Sequence, residues 1–479
     1  MSTLNGTDAN GTWQLFIQDD VSADSGSVGS WSLTITPDPV PTVSLSSAAA
    51  TTTNAPFSVT ANFSESVNNF IASDISVTNG TVSGFSGSGS TYTFTVTPTS
   101  QGTVTVNVPA GVANDAGNNI NTAATALTRT FDNIAPTVTL SSASATTTNA
   151  PFSVTANFSE SVNNFIASDI SVTNGTVSGF SGSGSTYTFT VTPTNQGTVT
   201  VNVPTGVAND AGNNINTAAT ALTRTFDNIA PTVTLSSASA TTTNAPFSVT
   251  ANFSESVNNF IASDISVTNG TVSGFSGSGS TYTFTVTPTS QGTVTVNVPA
   301  GVANDAGNNI NTAATALTRT FDNIAPTVTL SSASATTTNA PFSVTANFSE
   351  SVNNFIASDI SVTNGTVSGF SGSGSTYTFT VTPTSQGTVT VNVPAGVAND
   401  AGNNNNTAAT ALSRTYDTIA PTVTINQAGG QTDPAPTSPI NYTVTFSETV
   451  TGFDTSDITR GAPQAQPLPP SPAAAPPIM

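Results

Sequence analysis

Each 95-residue stretch of this chain holds four carboxylates and one base; in the first they are Glu65, Asp74, Asp115, Asp132 and Arg129. The chain has no histidine, cysteine or lysine. That removes most general acid–base catalysts, thiolate nucleophiles and the nitrogen and sulfur ligands of zinc. What such carboxylates can do is hold a hard cation, since Ca²⁺ takes only oxygen ligands and weak sites suffice where calcium is millimolar. The chemistry open to these residues is cation binding, and the sequence otherwise reads as non-enzymatic.

The overall charge narrows the partners. Acidic residues number 25 against five arginines, for a net charge of -20. With no basic cluster, nucleic acid and anionic membrane surfaces are excluded. No apolar run approaches the ~20 residues of a membrane-spanning helix, so no membrane insertion is expected. The start, MSTLNGTDANGTW, has no basic and apolar signal-peptide regions. The Lys-free, Cys-free, Thr-rich make-up suits a bacterial extracellular or cell-surface protein, with its export signal on a part of the gene product outside this chain.

The carboxylates recur because the chain repeats. RTFDNIAPTVTL starts without change at Arg129, Arg224 and Arg319, and RTYDTIAPTVTI follows from Arg414. Pro136, Pro231, Pro326 and Pro421 each follow Ile-Ala, at intervals of 95 residues. That period is too long for a solenoid repeat and right for a small domain. Counting from Pro41, the units are 41–135, 136–230, 231–325 and 326–420, with a truncated fifth over 421–459. In the first, Phe57, Val59, Ala61 and Phe63 alternate with polar residues, as do Tyr92, Phe94 and Val96, then Val104, Val106 and Val108. Period-two alternation marks half-buried strands. Shorter strands fit 42–47, 74–78, 81–86 and 123–131, separated by Asn-Ala-Pro at 54–56, Asn79-Gly80, Gly-Ser-Gly at 87–89, Gln101-Gly102 and the loop 111–119. Seven or so short strands without helical periodicity predict an all-β chain of tandem antiparallel β-sandwiches.

FSESV (63–67), SDISVTNG (73–80), TVTPTSQGTVTVNV (95–108) and NDAGN (114–118) resemble the bacterial Ig-like domains strung along surface adhesins and secreted multidomain proteins. The resemblance covers 41–458 and implies an Ig-like sandwich used as a stalk or presentation module. Residues 4–36, with NGTW-x-L-x-I-x-D and SWSLTI, resemble the end of the P (Homo B) domain of subtilisin-like proprotein convertases. That implies a partial jelly-roll over 1–38, with Trp13, Leu15, Ile17 and Trp31, Leu33, Ile35 supplying two amphipathic strands.

Ig-like topology decides which carboxylates meet. Glu65 falls in the B–C turn and Asp115 in the F–G loop, at the leading pole of the unit. The last strand delivers Asp132 to the opposite pole, against the next unit. Asp132 is therefore expected to face Glu160 and Asp210, Asp227 to face Glu255 and Asp305, and Asp322 to face Glu350 and Asp400. Two readings stand: inter-unit Ca²⁺ sites, or turn residues and solvated acids that copying has repeated. DNIAP (132–136) is similar to the calcium-binding linkers of cadherins. Asp38 lies one place out of register at the first junction, and Asp417 and Glu448 lack an F–G partner at the last. Arg129 is expected to lie over an apolar rim and pair with a carboxylate.

These readings make the chain a non-enzymatic stalk that meets an unknown surface ligand or the neighbouring domains of a larger protein. At roughly 40 Å per sandwich, four units extend about 160 Å. The alternatives are the non-catalytic C-terminal region of a secreted subtilisin-like protease, whose catalytic domain would lie upstream, and a carbohydrate-binding array. The last suits the sequence poorly, because neither Trp falls in a repeat. Residues 460–479 form a Pro/Ala-rich tail, read either as an extended linker or as the product of a truncated or shifted reading frame.

Overall fold

The computed structural model describes residues 12–18, 20–23, 25–432, 438–459 and 461. In the first unit the strands are β1 (Val43–Ser46), β2 (Thr52–Thr53), β3 (Phe57–Phe63), β4 (Ser76–Thr78), β5 (Gly80–Ser88), β6 (Thr91–Pro98), β7 (Gly102–Asn107) and β8 (Leu127–Phe131). They form two four-stranded sheets, β1-β3-β6-β5 and β2-β8-β7-β4, and the next three units repeat both sheets. The alternating residues of β3, β6 and β7 turn inward, so Val59, Phe94, Val96, Val104 and Val106 are almost fully buried between the sheets. Each of the four units closes its own hydrophobic core, and no core residue is shared between units.

The all-β, Ig-like expectation is met, with local differences that have physical causes. β2 pairs in parallel with β8, Thr52 opposite Thr130 and Thr53 opposite Phe131. It is two residues long, too short for any periodicity to mark it. The segment expected as a strand over 123–131 pairs only from Leu127, because Ala124 instead donates its N–H to Val108 at 2.9 Å. Gly87 does not break the hairpin: it lies within β5, opposite Tyr92, at φ 130°. A side chain there would put Cβ 2.4 Å from the Thr91 carbonyl oxygen.

The ends depart further. Among the described residues from Thr12 to Pro41 there is no strand, and Trp31, Leu33 and Ile35 are about half exposed at 52, 46 and 45 %. The two amphipathic strands expected there do not form, which fits the marginal stability of two strands with no further sheet to pack on. In the fifth repeat Val423–Gln427 pairs with Tyr442–Phe446. Ile425 and Tyr442 stay exposed, because this two-stranded ladder lacks the facing sheet that covers β1 and β3. The predicted tail at 460–479 lies outside the described residues, Gly461 excepted.

Arg129 also differs from expectation. Its guanidinium donates to the carbonyls of Thr128 (2.8 Å) and Ser47 (3.1 Å), and the same pair recurs for Arg224, Arg319 and Arg414. A backbone oxygen on the β1–β2 connection takes the place of the expected carboxylate. The arginine thus ties β8 to that connection rather than neutralising an acid.

Candidate metal centres at the junctions

Two loops at the leading pole carry Glu65 and Asp115 and their counterparts in the later units, and the fold fixes both. The B–C loop after β3 is held by edge-to-face packing of Phe63, Phe70 and Tyr92, and by the Tyr92 hydroxyl donating to the Val67 carbonyl at 3.3 Å. The F–G loop is built around Asn121, which is 1 % exposed. Its Oδ1 accepts from the N–H groups of Val112 and Ala113, and its Nδ2 donates to the carbonyls of Pro109 and Thr122, all at 2.8–2.9 Å. All the hydrogen-bonding capacity of its donors is used at a site closed to water, so the loop has one shape. Asn68 and Asn114 exchange backbone hydrogen bonds of 2.7 and 3.4 Å, which joins the two loops.

At the trailing pole, the backbone N–H of Asp132 donates to Thr53 at 2.9 Å. Gln101, in the β6–β7 turn, donates to Asp132 Oδ1 at 2.6 Å and accepts from the Asn133 N–H at 3.0 Å. The structure then brings together the three expected sets: Asp132, Glu160 and Asp210; Asp227, Glu255 and Asp305; Asp322, Glu350 and Asp400. In each set one oxygen from every residue lies within 4.8 Å of the others. The Asp from the F–G loop is buried, with Asp210 2 % exposed.

The first junction assembles a cluster as well. Asp38, although one place out of register, reaches Glu65 and Asp115, with one oxygen of each again within 4.8 Å of the others. At the last junction the carboxylate of Asp417 is held by Gln386 and by the Ile419 N–H (3.0 Å). Asp74 stands apart from every cluster; its Oδ2 accepts from the Ile71 N–H at 2.8 Å and closes the short 3₁₀ turn Ala72–Asp74.

Electrostatics follow from this crowding. Glu160 is pushed above its ordinary 4.5, first by desolvation and then by the charges of Asp132 and Asp210; Glu255 and Glu350 respond in the same way. Glu65 is raised for the same reasons, with Asp115 and Asp38 as the charged neighbours. Asp115 is instead lowered below 3.8, chiefly by the Asn119 side chain that donates to it. An acid raised in the folded state favours folding below its unfolded value, and that contribution is lost as pH rises through the folded one. A lowered acid behaves oppositely, its contribution lost as pH falls through the folded value. Without a divalent cation, the melting temperature is therefore expected to rise as pH drops from 7 toward 5, then to fall below about 4. Scanning calorimetry in chelator checks this, and a steady fall from pH 7 to 5 contradicts it.

The sequence pattern did not single out the residues that organise these clusters: Gln101, Asn119, Asn121 and Gly117 with their counterparts in the other units. Gln and Asn at turns read as ordinary turn chemistry, and only the geometry separates a positioning amide from a solvated one. The donor set is all oxygen, and none of the four described arginines reaches it, so the clusters suit a hard cation such as Ca²⁺.

With fold and junctions in place, the class is defined: the chain belongs to the bacterial Ig-like domain family, whose sequence model matches residues 38–131, 132–226, 227–321 and 322–416. The match does not extend to the fifth repeat or to the N-terminal segment, and the resemblance of 4–36 to a P domain finds no counterpart. No curated protein matches the chain. Among solved structures it is similar to invasin, a bacterial integrin-binding protein, at 13 % identity and TM-score 0.31 over 81 % of each chain. It is also similar to a tetra-tandem repeat from the extending region of a large adhesion protein, at 16 % identity and TM-score 0.31, covering 79 % of this chain and all of that one.

Proposed function

We propose that this chain is an extracellular, non-catalytic spacer of adhesin type, in which Ca²⁺ held by the carboxylate triads stabilises the junctions between successive Ig-like units. The observation that carries the reading is the recurrence of one three-carboxylate cluster at the junctions, fed by both neighbouring units. Repetition of one unit adds reach or avidity without new chemistry. Family membership supports a stalk, and no helix among the described residues is long and apolar enough to cross a membrane. A carbohydrate platform is disfavoured by the aromatics, because Phe63, Phe70 and Tyr92 are buried against one another.

The residues that would hold the ion are Asp132, Glu160 and Asp210, their counterparts Asp227, Glu255, Asp305 and Asp322, Glu350, Asp400, and at the first junction Asp38, Glu65 and Asp115. A bound cation supplies the positive charge that three converging acids lack. At tenfold excess over Kd each site adds about 1.4 kcal/mol. Melting the chain in millimolar calcium is therefore expected to give a higher transition than melting in chelator, and the gain should vanish when Glu65, Glu160, Glu255 and Glu350 are changed to Gln. An unchanged melting temperature overturns the calcium reading. The spacer reading is tested separately, by X-ray scattering from chains of two, three and four units. It expects the maximum dimension to grow by a constant step per unit, and a compact particle would contradict it.

A further inference from the structure

Each junction between two complete units is crossed by one asparagine side chain. Asn214, in the F–G loop of the second unit, donates from Nδ2 to the backbone carbonyl of Asp132 in the first unit at 2.8 Å. The same Nδ2 donates to Asp210 Oδ2 of its own unit at 2.9 Å. Its Oδ1 accepts from Asn54 Nδ2, in the β2–β3 turn of the first unit, at 3.2 Å. Asn309 makes the same three contacts with Asp227, Asp305 and Asn149, and Asn404 with Asp322, Asp400 and Asn244.

Chemistry fixes the orientation of this amide. A carbonyl and a carboxylate can only accept, so Nδ2 must face both, and Oδ1 is left for the Asn54 donor. One planar group therefore spans two points on the preceding unit and one on its own. Gly212 lets the loop approach closely enough, since a Cβ there would lie 2.9 Å from the Asp132 carbonyl oxygen. The first junction is built differently: the Asn119 side chain meets Asp115 at 2.9 Å, and Gly117 faces the Asp38 carboxylate rather than a backbone carbonyl.

We propose that Asn214, Asn309 and Asn404 form an amide latch that sets the orientation of successive units through direct protein contacts, whether or not a cation sits between the carboxylates. The latch deepens the spacer reading and rests on it, but it is independent of calcium. It makes the three inner junctions stiff in the metal-free chain and leaves calcium to add stability to a geometry already chosen. An Asp at this position is isosteric, yet it would set an acceptor against two acceptors. Asn54→Ala removes one bond from the opposite side and leaves the F–G loop untouched.

The test uses the full chain, which has no native cysteine. Spin labels go on Ser86→Cys and Ser181→Cys, exposed positions of the first and second units. Inter-label distance distributions are then measured in chelator and in calcium. The unaltered junction is expected to give a narrow distribution in chelator. Asn214→Ala is expected to broaden it, Asn214→Asp to broaden it further, and Asn54→Ala to broaden it least. Unit melting transitions confirm that each variant is folded, and Asn54→Ala stands on its own if the loop variants are not. A broad distribution for the unaltered chain in chelator overturns the latch, as does an Asn214→Asp junction as narrow as the unaltered one. Failure of the spacer reading is seen elsewhere, in a compact array even with calcium present.

Discussion

Asn216→Ala is expected to unfold the second unit alone, about 20 °C below the other three, from a loss of about 4 kcal/mol. Asn216 is fully buried in the F–G loop. It accepts from Val207 and Ala208 and donates to Pro204 and Thr217, at 2.8–2.9 Å. Truncation leaves two N–H groups and two carbonyls without partners where water does not reach, and each such loss costs about 1–3 kcal/mol. Small domains hold only about 5–15 kcal/mol in total. Because the cores are separate, the loss stays within one unit, and calorimetry should show one early transition beside three unshifted ones. Thr220→Ala, on the surface, serves as the control, with an expected change within about 0.5 kcal/mol. A single cooperative transition for the whole variant chain would contradict the independence of the units.

The second large effect is a contrast between two glycines at equivalent positions. Gly212→Ala is expected to cost about 1–3 kcal/mol at the junction of units one and two, the usual price of overpacking. Its new Cβ meets the backbone of Asp132, which the Gln101 clamp and the Thr53 ladder hold in place. Gly117→Ala meets no backbone: its closest contact is the end of the Asp38 side chain at 2.5 Å, which can rotate away, with the Asn119 and Asp115 side chains at 3.2 Å. The first substitution should lower the melting of the second unit and the calcium stoichiometry by one, whereas the second should cost the calcium of the first junction alone and leave melting in chelator unchanged. Calorimetry and calcium titration of both variants check this, and equal effects would contradict the close approach at the inner junctions.

Much of this architecture is legible in the residues themselves. The alternation of Phe57 to Phe63 and of Val104 to Val108 announces strands, because one buried face demands a period of two. The pairing of Asp132 with Glu160 and Asp210 follows from topology, since strands of known direction carry their ends to known poles. What escapes is whatever has no period. Thr52–Thr53 is too short to alternate, and Arg129 suggests a carboxylate partner because charge is visible in a sequence and a free carbonyl is not. Asn121 and Asn214 look like any other turn asparagine. Near-identity of the units hides them further, because a necessary residue and a merely copied one recur alike. The Asp38 cluster escapes for another reason: counting places it out of register, and only the path of the extended chain brings it back.

The short parallel ladder between β2 and β8 has a mechanical consequence. An array used as a tether is pulled through its two ends, so load enters a unit near β1 and leaves through β8. The bonds from Thr130 N–H to Thr51 and from Asp132 N–H to Thr53, 2.8 and 2.9 Å long, then lie across the line of force. They are loaded in shear, together, rather than peeled one after another. The Arg129 contact with Ser47 joins the same seam. In the proposed spacer, four such seams in series would make each unit a separate fuse: under excess tension one sandwich would give way and lengthen the line while its neighbours hold.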